Sequence, residues 1–128
     1  MSRYDVIIIG AGPGGIFAAY ELAKKAPELK VAVFEAGNSL EKRKCPIDGK
    51  KIKSCINCKT CAIMSGFGGA GAFSDGKYNI TNDFGGTLYE YIGKDTAIDL
   101  MKYVDEINLA YGGEGTKMYS TAGTDIKK

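Results

Sequence analysis

The sequence has no histidine, only four cysteines and three prolines in 128 residues, and no long apolar run. Without histidine, a metal site built on the four cysteines is expected to be all-sulfur. The apolar stretch near the N-terminus is short, lies behind Asp5 and breaks at Gly10, so neither a signal peptide nor a membrane span is expected. Charge of one sign is missing too: 17 Lys and Arg against 15 Asp and Glu leave +2, which offers no overall field for nucleic acid or a membrane. Four cysteines without a secretory signal read as reduced thiols or metal ligands in a cytoplasmic setting, not as a disulfide framework. Repeats and low-complexity tracts are absent as well.

What is present is the composition of an ordinary globular chain, 45% apolar and 25% charged, with glycine in excess at 18 residues, about twice the usual share. A single domain of this length would bury roughly two-thirds of the surface its unfolded chain exposes. Residues 6–9 are four consecutive β-branched side chains, too short for a helix and apolar on both faces, as a parallel strand covered by helices should be. From 14 to 26 the apolar positions Ile16, Ala19, Leu22, Ala23 and Ala26 fall at helical spacing, and Pro27 marks the stop. Residues 31–34 form a second short apolar run, ending in Glu35 and followed by the turn Ala36-Gly37-Asn38. Strand, helix and strand in about thirty residues make a βαβ unit with an expected right-handed crossover. Residues 42–86 carry all four cysteines and eight glycines with little periodicity, and are expected to be mostly loop. Asp95 is expected to cap a helix over 96–110 that aligns Ala97, Ile98, Met101, Val104 and Ile107, with Gly112-Gly113 closing it. The tail from 114 has only Met118, Tyr119 and Ile126 to bury.

The chemistry concentrates at Gly10-Ala11-Gly12-Pro13-Gly14-Gly15, a G-x-G-x-x-G directly after a strand and opening a helix. Gly10 permits the tight exit from the strand, Gly12 lets the backbone approach a pyrophosphate, and Gly15 lets helix and strand pack closely. The helix start aims N–H groups and a positive dipole end at the bend, so a diphosphate is the natural occupant. Glu35 stands twenty residues past Gly15, where a carboxylate accepts hydrogen bonds from ribose hydroxyls and repels a 2′-phosphate. These positions alone do not separate FAD from NAD.

The N-terminal "VIIIGAGPGGIFAAYELAKK…KVAVFEAG" resembles the FAD-binding segment of the glutathione-reductase-like flavoproteins with two dinucleotide-binding domains. Residues 42–77, "KRKCP…CINCKTCAIMSGFGGAGAFSDGK", resemble the bacterial FAD-dependent oxidoreductases of the NAD(FAD)-utilising dehydrogenase type. The resemblance implies a Rossmann-like α/β fold and FAD held by Gly10, Gly12, Pro13, Gly14, Gly15, Glu35 and Ala36. It also implies that Gly68, Gly69, Ala70, Gly71 and Ser74 return to the cofactor, the alternative being a surface loop, and that Arg43 could fork onto its phosphates, the alternative being a solvated Arg, with NAD(P)H as a candidate electron donor. The redox-active cysteine pair that follows a G-G pair in the disulfide reductases has no counterpart here, because Gly68-Gly69 runs into Ala70-Gly71-Ala72-Phe73.

Cys45, Cys55, Cys58 and Cys61 follow the pattern C-x9-C-x2-C-x2-C among several lysines. Such spacing suits a four-thiolate zinc or iron–sulfur site, thiol redox chemistry, or inert thiols, and spacing does not choose among them. Asp75, Lys77, Tyr78 and residues 79–82 could position a substrate or flavin, but turn chemistry also explains Asp75-Gly76 and Asn82-Asp83. No catalytic acid, base or nucleophile stands out.

Two strands and two helices do not close a parallel sheet. The expectation is therefore an incomplete α/β chain: a βαβ dinucleotide-binding unit over 1–40, a cysteine- and glycine-rich loop over 41–86, a helical part over 87–113 and a polar tail over 114–128. It would be the FAD-binding N-terminal piece of a cytoplasmic oxidoreductase, inactive alone and completed by a C-terminal region or partner chain. The alternatives are a non-catalytic nucleotide- or metal-binding remnant and an NAD-binding domain with a zinc knuckle.

Overall fold

The computed structural model describes residues 3–83 and 85–118, so Tyr119 and Ile126 lie outside the described residues. The chain divides into two compact units, 1–75 and 76–128.

The first unit is α/β. Strand β1 (Val6–Ile9), helix α1 (Pro13–Lys25) and strand β2 (Val31–Phe34) follow one another, and the strands pair in parallel with Val6 opposite Val31 and Ile9 opposite Phe34. The ladder extends past both ends. The Asp5 amide donates to the Lys30 carbonyl at 2.9 Å and the Lys30 amide to the Asp5 carboxylate at 2.8 Å, while the Gly10 amide donates to the Phe34 carbonyl at 2.7 Å. That last bond fixes where the chain leaves the sheet. Helix α1 starts one residue earlier than its apolar spacing predicts, at Pro13, because proline is pre-set for the first helical position and loses no needed N–H there. It ends at Lys25, with Ala26 as its C-cap just before Pro27.

The strands are not apolar because both faces are covered. Exposure alternates along β1, with Ile7 and Ile9 at 57% and 81%, and Phe34 on β2 is half exposed as well. Among the described residues the buried apolar side chains are Ala11 in the first unit and Ala97 in the second, and Arg43 is buried in the first. After β2 the chain runs as loop through the cysteines, broken by single 3-10 turns at Leu40–Lys42 and Ala70–Phe73.

The second unit is helical: α2 (Leu88–Ile92), α3 (Lys94–Asn108) and a wider turn at Leu109–Gly113. Ala97, Ile98, Met101, Val104 and Ile107 form the less exposed face of α3, at the expected spacing. The cap is different from the expected one. Gly93, at φ +82°, is the N-cap and its carbonyl accepts from the Ala97 amide at 3.1 Å, so Asp95 sits inside the first turn. There its charge complements the helix dipole without capping.

Candidate functional site

The site grows out of the exit from β1. Gly10 turns at φ +95°, and a Cβ on Gly15 would overlap the Gly10 carbonyl oxygen, so the third glycine is what lets α1 close down on the strand. Gly12 is the N-cap of α1, with no side-chain cap, and the first acceptor of the helix is its carbonyl, 3.0 Å from the Ile16 amide. A Cβ on Gly12 would meet nothing closer than the Gly69 Cα at 4.0 Å, and one on Gly14 would meet nothing within 4 Å. The helix start therefore presents first-turn amides without an intrahelical acceptor and without a side chain over them.

Glu35 closes the other side. Its carboxylate accepts from the Ala11 amide at 2.7 Å and from the Gly37 amide at 2.8 Å. The Ala11 amide, then the Gly37 amide, hold its carboxyl below the ordinary glutamate range; burial pushes the other way, and the Arg43 charge and the Gly66 amide add to the lowering. A carboxylate has about four acceptor sites, so one is left beyond these amides for a further donor, and an ionised acceptor faces the turn.

Between them lies a groove of about 680 Å³ lined by Gly12, Glu35, Ala36, Gly37 and Gly69 from these loops, and by residues of the cysteine loop. That volume is in the range of small-molecule sites. Gly10, Pro13, Gly14 and Gly15 shape the turn behind the lining, which they do not join.

Arg43 requires a correction. Only 3% exposed, its guanidinium donates from Nε to the Ala62 carbonyl at 2.8 Å and from Nη2 to Ile63 at 2.7 Å. From Nη1 it donates to Phe67 at 2.6 Å and to Gly69 at 2.8 Å. It also stacks 4.8 Å from the Phe73 ring centre. With those bonds made, it cannot also fork onto a phosphate. Its role is to hold the second glycine loop in shape, which spacing could not reveal because its partners lie 19 to 26 residues away.

The second glycine loop does reach the first. The Gly68 amide donates to the Ala11 carbonyl at 2.8 Å, and a Cβ on Gly69 would press on the Gly12 Cα at 3.1 Å. Gly71 stands beside Pro13, 3.7 Å from its Cγ. Of the residues expected to return to a cofactor, Gly69 lines the groove, whereas Gly68, Ala70, Gly71 and Ser74 do not.

The cysteines do not assemble. All four thiols are free and exposed, and among the described residues no group of three or more His, Cys, Asp and Glu side chains is placed to hold a metal. The arrangement does not fit the four-thiolate shell that the spacing suggested. Asp48 accepts from the amides of Lys50, Lys51 and Ile52, closing a tight turn between Cys45 and Cys55. Only Cys58 and Cys61 come to the groove. Past residue 75, Asn82 donates to the Lys94 carbonyl at 3.3 Å and the Asp83 amide to the Thr81 hydroxyl at 3.1 Å, which is turn chemistry within the second unit.

Residues 1–41 match the Thi4 family. That span holds the turn, α1, β2 and Glu35. A thiamine thiazole synthase of Yarrowia lipolytica is 64% identical over 33 residues, 26% of this chain and 10% of that protein. One of Phaeosphaeria nodorum gives the same figures, 64% over 33 residues. An uncharacterised protein of Clostridium beijerinckii is 39% identical over 71 residues, 56% of this chain and 13% of its own length. The chain thus spans 10% to 13% of these relatives. No solved structure matches it. No helix among the described residues is long and apolar enough to cross a membrane.

Proposed function

We propose that the chain is the FAD-binding N-terminal segment of an oxidoreductase of the glutathione-reductase-like kind. Its diphosphate would lie on the amides at the start of α1 and its adenosine ribose on Glu35. The observation that carries this is the uncapped start of α1, with Gly12 open beside a groove in which Glu35 is already held as an ionised acceptor. The likeness of residues 1–41 to the Thi4 family supports the same seat. That likeness stops at the βαβ unit and lends no support to thiazole formation by this chain. When bound, FAD supplies the hydride or electron chemistry; the residues here bind and orient it. The bare face of Ile7, Ile9 and Phe34 favours a further segment or partner chain that covers the sheet, since parallel sheets are stable when both faces are buried.

Calorimetric titration of FAD and of ADP-ribose into the purified chain tests the seat. Gly12→Val should weaken FAD binding by about tenfold or more, while Lys51→Ala, remote from the groove lining, should leave it unchanged. Equal losses in both variants would overturn the assignment.

A further inference from the structure

The groove has two walls. One is the βαβ wall of Gly12, Glu35 and Ala36; the other is the segment Cys58, Lys59, Thr60 and Cys61. The second wall is anchored. The amides of Met64 and Ser65 donate to the Cys61 carbonyl at 3.2 and 2.8 Å, and the Arg43 guanidinium holds the Ala62 and Ile63 carbonyls directly after it. The cation that fixes the second glycine loop therefore also fixes the end of the cysteine loop.

Charge singles out one residue of that wall. Glu35 is the acidic side chain of the lining and its oxygens hold two backbone amides. Arg43 lies outside the lining and is taken up by carbonyls. Lys59 is the cationic residue of the groove lining. An anion drawn to the helix start would meet positive charge from backbone amides on one side and from Lys59 on the other. The thiols divide in the same way: all four are exposed, but Cys58 and Cys61 line the groove and Cys45 and Cys55 do not.

We infer that residues 58–61 are a ligand-contacting wall of the groove, in which Lys59 supplies counter-charge to an anionic dinucleotide and Cys58 and Cys61 stand within its footprint. This rests on the dinucleotide reading above and extends it to a loop whose cysteine spacing suggested a metal.

Thiol footprinting of the whole chain tests it, with N-ethylmaleimide as probe, tandem mass spectrometry resolving each cysteine, and FAD at a saturating level set by calorimetry. Cys58 and Cys61 should label at least about fivefold more slowly with FAD bound, as expected for sites covered at high occupancy. Cys45 and Cys55 should label at unchanged rates. Lys59→Glu should weaken FAD about three- to tenfold at low salt, less at high salt, and Lys59→Arg should bind as the parent does. FAD binding with no change at Cys58 and Cys61, or with equal slowing at all four thiols, would overturn the inference and leave the seat standing. Undiminished binding by Lys59→Glu would overturn the role of that charge. No calorimetric binding of FAD at all would remove the seat itself, and the wall with it.

Discussion

Residues 10–15 and 66–71 each carry four glycines in six positions, yet the space beside the two loops differs. At Gly12 and Gly14 an added Cβ would find open room or ordinary contact. At Gly66 it would press on the Arg43 Cδ and the Asn38 carbonyl oxygen, both at 2.7 Å, and at Gly68 on the Ala72 Cβ at 2.8 Å. In the first loop Gly12 and Gly14 leave open space, while Gly15 leaves room for the Gly10 carbonyl. In the second the missing side chains leave a place for the protein's own backbone and for one buried arginine. Glycine content alone therefore does not say who occupies the vacated volume; the neighbours do.

Removing the arginine should have the largest effect on the second loop. Arg43→Ala should cost about 3–5 kcal/mol by urea denaturation, because four carbonyls lose a buried charged donor at once. Arg43→Lys should recover little of it, since an ammonium cannot reproduce the planar fork. A cost under about 1 kcal/mol, the range of ordinary surface changes, would mean that the loop does not depend on its clamp.

Next comes Gly66→Ala, expected to cost about 2–4 kcal/mol through overlap combined with an unfavourable positive φ of +125°. Thermal melts of this variant and of Gly14→Ala measure the difference between the two loops.

Glu35→Gln should have a smaller, pH-dependent effect. The Glu35 pKa is lowered in the folded chain, so its stabilisation is complete above the unfolded value of about 4.3 and is lost as pH falls through the lower folded value. The variant should be less stable than the parent at neutral pH, and the gap should close in acid. A gap that stays the same on both sides of that window would show that the two amides do not depend on the carboxylate charge.

The smallest effect belongs to Gly14→Ala, where nothing stands within 4 Å. Its melting temperature should hold or rise slightly, reflecting about 0.5 kcal/mol or less of gained helix propensity.

The βαβ unit was readable because its signals are local. Both strands have the limits that the apolar runs 6–9 and 31–34 predict, and α1 differs by one residue at each end. The turn was readable for the same reason, glycine placement and helix polarity being properties of adjacent residues. Arg43 was not readable, since its carbonyl partners come from 62, 63, 67 and 69, and nothing in its own neighbourhood marks it as buried. The Asp95 cap failed because Gly93 could adopt φ +82° and start α3 earlier, a competition that residue preference does not weigh. Lys59 had no signal beyond being one lysine among many.

Residues 5–38 alone specify a parallel βαβ unit with a side-chain-free bend and an acid at the tip of the second strand, because backbone preference and short apolar runs act over a few residues. Only the tertiary structure decided that the second glycine loop packs on the first, that Arg43 faces inward, and that two of four cysteines come to the groove. Those outcomes depend on which distant carbonyls and Cα atoms meet, and packing settles that after the local elements have formed.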